Sequence, residues 1–192
     1  VEEDGPLPDE WKVASIGTHT TPPSATWRKG SFFLNAQCHD LWEAKDAALF
    51  IHAAPMESGQ LTARVVSLTP TDAWTKAGLM VRQSEAVDSP HAIMVVTPGQ
   101  GSAFQRREAT GLGTQHIAGP AVTAPFWMRL TWNHGEVVAS TSADGKTWKE
   151  TGRALVAFMG PILPGLCLSG HQAQETAAAS FDQVRIDAFP SP

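Results

Sequence analysis

The stretch KAGLMVRQSEAVDSPHAIMVVTPGQGSAFQRRE, residues 76–108, has the pattern of three β-strands joined by two turns. Apolar residues alternate with others in its first and last segments, and a period of two is typical of a strand with one face in a core. If Phe104 points inward, Ala103, Gln105 and Arg107 point to the opposite face. The stretch therefore predicts an antiparallel sheet whose second face carries polar side chains.

Similar runs recur along the rest of the chain, for example SFFLNAQ, QLTARVVSL, FWMRLTWN, EVVASTSA and ASFDQVRIDAF. Most of them end at Gly, Pro, Asn or Asp, and the His134-Gly135 and Asp144-Gly145 steps are typical of hairpin turns. No segment has the pattern of a helix of ten or more residues, and HDLWEAKDAALF allows one short helical turn at most. We therefore expect an all-β fold, either a sandwich or a barrel of antiparallel strands.

Length and charge restrict the domain organisation and the partners. A chain of 192 residues fits one domain, in which we expect residues 1–10 and 188–192 to be linker or terminal segments. A net charge of −5 without a basic run argues against nucleic acid, and no apolar run approaches the ~20 residues that a membrane helix needs. We expect a module, flanked by neighbouring domains, of a secreted, periplasmic or cell-surface protein.

The two cysteines, Cys38 and Cys167, are too few for a disulfide scaffold and lack the spacing of metal ligands. Two interpretations remain open. In an exported protein they would be able to pair, whereas in any compartment they would serve as two small buried apolar residues.

Six segments, in order from Asp40 to Ile186, carry a resemblance: DLWEAKDAALF, DAWTKAGLMVRQS, HAIMVVTPGQGSAFQRR, PFWMRLTW, SADGKTW and ASFDQVRI. Together they resemble a bacterial family of laminin-G-like domains in the concanavalin A-like lectin and glucanase superfamily, a family largely of unknown function. The resemblance implies a jelly-roll sandwich of two curved antiparallel sheets, found in secreted carbohydrate-active or cell-surface proteins. Such a fold does not fix the function.

The concave sheet face is the first candidate site, a glycan-binding surface. Sugar C–H faces stack on indole rings, and sugar hydroxyls pair with guanidinium, amide and imidazole groups. Arginine would also favour uronate or sulfate groups. The alternative is that the polar groups solvate an exposed face while the indoles pack the sandwich. The candidate ligand-binding residues are Trp42, Trp74, Arg82, His91, Gln105 and Arg107.

An acidic loop is the second candidate, a calcium site. His39, Asp40, Glu43 and Asp46 lie close together in sequence, and calcium takes oxygen ligands from carboxylates and carbonyls. The resemblance adds Asp182, because related sandwiches often hold a structural calcium near the last strand. We expect Asp40, Asp46 and Asp182 as the ligands, with turn capping as the alternative.

Catalytic motifs are absent from the sequence. The Glu-x-Asp-x-x-Glu strand motif of concanavalin A-like glucanases does not occur, nor does a Gly-x-Ser-x-Gly or His-Glu-x-x-His motif. A lyase of this fold usually needs a tyrosine, and the chain has none. We therefore predict a non-catalytic, lectin-like carbohydrate-binding module. The alternatives are a structural or adhesive protein-interaction module and, with less support, a glycan-active hydrolase or lyase.

Overall fold

A computed structural model describes residues 4–190, and every regular element in that range is a β-strand. None of the described residues forms a helix long and apolar enough to cross a membrane. The strands are β1 (Lys12–Ile16), β2 (His19–Arg28), β3 (Ser31–Cys38), β4 (Leu41–Trp42), β5 (Lys45–Asp46), β6 (Ala48–His52), β7 (Ser58–Thr69), β8 (Lys76–Arg82), β9 (His91–Val96), β10 (Ser102–Arg107), β11 (Gln115–Ala118), β12 (Phe126–Asn133), β13 (Glu136–Ser142), β14 (Lys149–Leu155), β15 (Leu163–Ser169) and β16 (Ala177–Ala188).

Two seven-stranded antiparallel sheets pack face to face. The front sheet has the order β1-β6-β15-β8-β9-β10-β11, and the back sheet has the order β14-β13-β12-β7-β16-β3-β2. Strands β4 and β5 form a separate small hairpin. The prediction of an all-β sandwich of two antiparallel sheets is therefore confirmed, and the stretch 76–108 forms the adjacent strands β8, β9 and β10.

The main core lies between the two sheets and explains the period of two. Leu79, Met94 and Phe104 of the front sheet are fully buried there, against Leu61 and Leu130 of the back sheet. Burying a side chain of this size contributes about 1.5–3 kcal/mol to folding. The inward orientation predicted for Phe104 is confirmed.

A second apolar cluster covers part of the outer face of the front sheet. Phe50, Met80 and Ile93 are completely buried on this side, where Leu41 of the β4–β5 hairpin packs with them. Because both of their faces are buried, β8 and β9 contain no exposed residue. The outer face of this sheet is therefore not an open surface along its whole length.

The two cysteines belong to different clusters. Cys38 lies in the main core and Cys167 in the second cluster, and both are buried free thiols. Burial raises the pKa of Cys167 to about 12. The interpretation as two small buried residues is confirmed, and the alternative of a disulfide is not, because both thiols are free.

Residues 1–3 and 191–192 of the predicted terminal segments lie outside the described residues. From Asp4 onward the first segment follows the sandwich, because Gly5 exchanges two backbone hydrogen bonds of 3.0 Å with Trp27. Leu7 then packs against the main core.

Candidate functional site

The β4–β5 hairpin shapes the candidate site. Leu41 pairs with Asp46 and Trp42 with Lys45, while Glu43 in the turn has a positive φ of 47°. The sequence here tolerates helix, yet the chain forms this hairpin, which lies on the outer face of the front sheet. Its residues contribute both to a buried ionic cluster and to an open pocket on that face.

The buried part, here called the Asp46 cluster, consists of Asp46, Arg82, His91 and Arg107. All four side chains are inaccessible to solvent. One carboxylate oxygen of Asp46 accepts hydrogen bonds of 2.6 Å from Nη1 of Arg82 and from Nη1 of Arg107. The other accepts a bond of 2.8 Å from Nη2 of Arg107. Both oxygens of Asp46 are thus used by guanidinium groups.

Other guanidinium N–H groups bind backbone carbonyls of two loops and of the β4–β5 hairpin turn. Arg82 donates from Nε to Ser84 O at 2.8 Å and from Nη2 to Ala86 O. Arg107 donates to Leu112 O and to Glu43 O, each at 2.9 Å. The cluster therefore fastens these loops and the hairpin onto the sheet.

Burial also determines the charges in the cluster. Burial alone would raise the pKa of Asp46, but the hydrogen bond from Arg107 and the charges around it lower that pKa overall. Burial lowers the pKa of His91 to about 3, and the two arginines act in the same direction. At neutral pH the cluster therefore holds an ionised Asp46, two charged arginines and a neutral His91.

The expectation that Arg82, His91 and Arg107 lie on an open binding face is wrong. They do share one face of the sheet, as the alternation predicts, and His91 lies on the strand between the two arginines. The hairpin and the loops cover them, so that none reaches solvent. The oxygens of Asp46 that we expected to face calcium accept hydrogen bonds from the arginines instead.

The open part, here called the Trp pocket, is a cavity of about 470 Å³ on the same face. Volumes of about 300–1,000 Å³ are typical of small-molecule sites. Three predicted ligand-binding residues line it, together with Asp40. The complete lining is Asp40, Trp42, Trp74, Lys76, Gln105, His116 and His171.

Lys76 holds the two tryptophans in place. Its ammonium group lies 5.3 Å from the centre of the Trp42 ring and 5.9 Å from that of Trp74, within the range of cation–π attraction. Nζ donates to Asp40 Oδ1 at 2.8 Å and to Leu41 O at 2.9 Å. The lysine is 2% exposed, while both tryptophans are partly exposed. The pocket thus presents indole surface around a neutralised cation.

Gln105 and His116 face each other on the adjacent strands β10 and β11. The amide Nε2 of Gln105 donates to His116 Nδ1 at 3.0 Å, which leaves the ring proton on Nε2 of the neutral histidine. Burial and the charge of Lys76 lower the pKa of His116. The other amide atom, Gln105 Oε1, is buried and has no hydrogen-bond partner in the protein.

His171 connects two carboxylates at the edge of the pocket. Its ring nitrogens lie 3.6 Å from an oxygen of Asp40 and 3.1 Å from an oxygen of Asp72. The backbone N–H of Trp74 binds Asp72 at 2.8 Å and is the main cause of the lowered pKa of that carboxyl. The loop that carries Trp74 is therefore fixed to the same ionic group.

The structure brings together Trp42, Trp74, Gln105 and Asp40, and adds three residues that the sequence did not single out. Lys76 could have been predicted as a site residue, because strand alternation places it on the same face as Met80 and Arg82. The sequence around His116 and His171 does not indicate that they belong to the site. Their positions depend on loop lengths and on pairing between distant strands.

The predicted calcium ligands each have a protein cation as partner. Asp40 pairs with Lys76, and Asp182 pairs with Arg64 of the back sheet through two bonds of 2.8 and 2.5 Å. Among residues 4–190, no group of three or more His, Cys, Asp or Glu side chains is placed to hold a metal ion. Calcium binding by these residues stays a prediction from the sequence alone, and an ion at any of them would have to displace the protein cation.

The architecture is that of a concanavalin A-like jelly-roll sandwich. A functionally unknown protein from Saccharomyces cerevisiae shares it with a TM-score of 0.74 and 18% identity, over 95% of this chain and 98% of that one. A prokaryotic β-1,3-1,4-glucanase (lichenase) from a mouse hindgut metagenome gives 0.61 and 11%, over 95% of both chains.

A mutant of the GH43 protein BlXynB from Bacillus licheniformis gives a TM-score of 0.67 and 16% identity. The match covers 97% of this chain but 38% of that protein, so this chain corresponds to little more than a third of it. Identities at this level show a common fold. No protein-family model matches the chain, and no curated protein sequence matches it.

Proposed function

We propose that the Trp pocket binds a carbohydrate without cleaving it. The observation that carries this proposal is the unpartnered Oε1 of Gln105, a buried acceptor in a pocket with two indole walls. A buried acceptor without a partner costs about 1–3 kcal/mol, and a ligand hydroxyl would supply the missing donor.

The rest of the pocket fits the same kind of ligand. His116 offers an N–H donor next to the Gln105 acceptor, and a sugar hydroxyl both donates and accepts. Trp42 and Trp74 offer flat apolar surface for the C–H faces of a sugar ring. The glycoside-hydrolase names of BlXynB and the lichenase support carbohydrate as the ligand class.

The carboxylates argue for binding over hydrolysis. Glycosidases use two carboxyl groups, roughly 5–9.5 Å apart, on either side of the scissile bond. Within the described residues, Asp40 is the only carboxylate that lines the Trp pocket, and it is paired with Lys76. Asp72, at the edge of the pocket, is itself held by the Trp74 N–H and by His171. Two carboxylates that are already paired within the protein provide neither a general acid nor a free nucleophile.

The test is a glycan array followed by calorimetric titration of the best ligand. We expect Trp74→Ala and Gln105→Leu each to weaken binding by about tenfold or more, the loss that follows from removing ~1.4 kcal/mol. Trp148→Ala is the matched control, because that indole lies under Arg129 on the outer side of the back sheet, 3.9 Å from its guanidinium carbon. Its affinity should equal that of the wild type.

Three results would overturn the proposal. A folded protein that binds no glycan would favour the structural or adhesive alternative. Release of new reducing ends from the bound glycan would favour the hydrolase alternative, and new unsaturated ends would favour the lyase alternative.

A further inference from the structure

The two arginines of the candidate site are closed to an acidic sugar, because both are fully buried. All five N–H groups of Arg107 have acceptors in Asp46, Ser89, Glu43 and Leu112. Arg82 is equally inaccessible. These are the residues that the sequence suggested for recognition of uronate or sulfate, and the structure commits both to the Asp46 cluster.

Lys76 is the remaining cation, and Asp40 neutralises it across 2.8 Å. The Trp pocket and its edge contain a second carboxylate, Asp72, which shares His171 with Asp40. Counting Lys76 as +1 and the two aspartates as −1 each gives −1 with a neutral His171 and 0 with a charged one. With His116 neutral, the pocket is thus not net positive at its surface, although the buried Asp46 cluster holds one excess positive charge.

Apart from Asp40, Lys76 and His171, which form ion pairs within the protein, the polar groups that the pocket offers a ligand are uncharged. They are the acceptor Gln105 Oε1 and the Nε2–H donor of the neutral His116. This pair matches a hydroxyl, which donates and accepts, but a carboxylate or sulfate would only accept and would meet the Gln105 oxygen lone pairs. Resting on the carbohydrate function proposed above, we infer that the pocket selects neutral sugars and rejects uronate or sulfated sugars of the same skeleton.

Matched oligosaccharides test this selectivity. The probes are neutral tetrasaccharides of glucose, mannose and galactose, and the same chains oxidised at C6 to uronates. We expect at least one neutral chain to bind and its oxidised counterpart to bind at least ~10-fold more weakly. Equal or tighter binding of the uronate would overturn the inference and leave the carbohydrate function standing. Failure of all six to bind would count against both.

Asp40→Asn tests the cause. The asparagine keeps the acceptor for the Leu41 N–H but leaves Lys76 without a counter-ion. We expect the uronate-to-neutral affinity ratio to rise about tenfold. Asp182→Asn removes the same charge on the back sheet and should leave the ratio unchanged. An unchanged ratio in folded Asp40→Asn would contradict the role of charge, and if that variant does not fold, the wild-type comparison decides alone.

Discussion

The Asp46 cluster and the Trp pocket occupy the same outer face of the front sheet. Gln105 and Arg107 are two residues apart on β10, and Lys76 and Arg82 lie at opposite ends of β8. In the cluster no side chain reaches solvent, and Asp46 is hydrogen-bonded to both arginines, while Nε2 of His91 is buried without a partner and out of reach of a ligand. In the pocket, indole surface is exposed and an amide oxygen lacks a partner.

The difference shows that the type of residue does not decide its role. Polar side chains on a strand stabilise the fold where a hairpin supplies their partners and removes water. The same kinds of side chain can bind a ligand where the hairpin does not cover them and where one of their polar atoms lacks a hydrogen-bond partner. The hairpin contributes residues to both regions. Which side chains it covers therefore decides which of them stabilise the fold and which can bind a ligand.

The largest effect should follow from removing the centre of the cluster. Asp46→Ala leaves two buried guanidinium groups without a counter-ion, and breaking a buried pair costs about 3–5 kcal/mol. For a domain of this size the melting temperature should fall by roughly 6–20 °C. Thermal denaturation followed by circular dichroism measures this shift.

Arg153→Ala is the control for that experiment, because its exposed guanidinium forms ion pairs with Glu150 and Glu136. Exposed pairs contribute about 0–1 kcal/mol. A melt of Asp46→Ala that is indistinguishable from that of Arg153→Ala would show that the cluster is not a structural centre.

The next effect is a loss of stability in mild acid. The pKa of His91 is about 3 in the folded protein, below its ordinary value of about 6.5. Below pH 6.5, therefore, His91 binds a proton in the unfolded chain but stays neutral in the folded one. The stability is therefore complete above pH 6.5 and decreases toward pH 3. Between pH 7 and pH 5 the loss from His91 should be about 2 kcal/mol.

Urea denaturation at several pH values measures this loss, and His91→Gln should reduce the slope between pH 7 and pH 5. The matched control is His116→Gln in the open pocket. Because His116 is partly exposed, this substitution should change the slope of stability against pH less than His91→Gln does. Equal slopes in His91→Gln and the wild type would contradict a neutral buried His91.

Most of the fold was predictable, because its causes are local. Alternation in residues 76–108 identifies three neighbouring strands, and the positive φ angles of His134 and Gly135 confirm the predicted turn. The β4–β5 hairpin was not predictable from HDLWEAKDAALF. Its shape depends on Asp46 reaching Arg82 and Arg107, which are 36 and 61 residues away.

Only part of the site was predictable, because strand alternation is a local pattern whereas the covering of a residue depends on contacts that are distant in sequence. Alternation places Gln105 and Arg107 on one face, but it does not say which of them a distant segment will cover. Trp42 and Trp74 were identified from their type, and the structure places both around Lys76. His116 lies opposite Gln105 only through the pairing of β10 with β11.

A small effect on stability is expected in the open pocket. Gln105→Leu removes the hydrogen bond to His116, which contributes about 0.5–1.5 kcal/mol, and also removes an unpaired buried oxygen that costs about 1–3 kcal/mol. The two changes oppose each other, so the change in the free energy of unfolding should lie between a loss of about 0.5 kcal/mol and a gain of about 2.5 kcal/mol. Urea denaturation checks this value. A loss as large as that of Asp46→Ala would make Gln105 a structural residue and would remove the contrast between the two regions.

The smallest expected effect concerns calcium, and it tests whether the acidic residues are already satisfied. A saturated structural site at 100 times its dissociation constant would add ~2.7 kcal/mol, or roughly 5–10 °C in melting temperature. Asp40, Asp46 and Asp182 each have a lysine or arginine partner, so an ion would have to displace a protein cation. We expect melts in calcium and in chelator to differ by less than about 1 °C. A rise of several degrees would establish the calcium site that the sequence predicted. If Asp40→Asn then abolished the rise while Asp182→Asn did not, the ion would lie at the edge of the Trp pocket, and Lys76 would not be the only cation there.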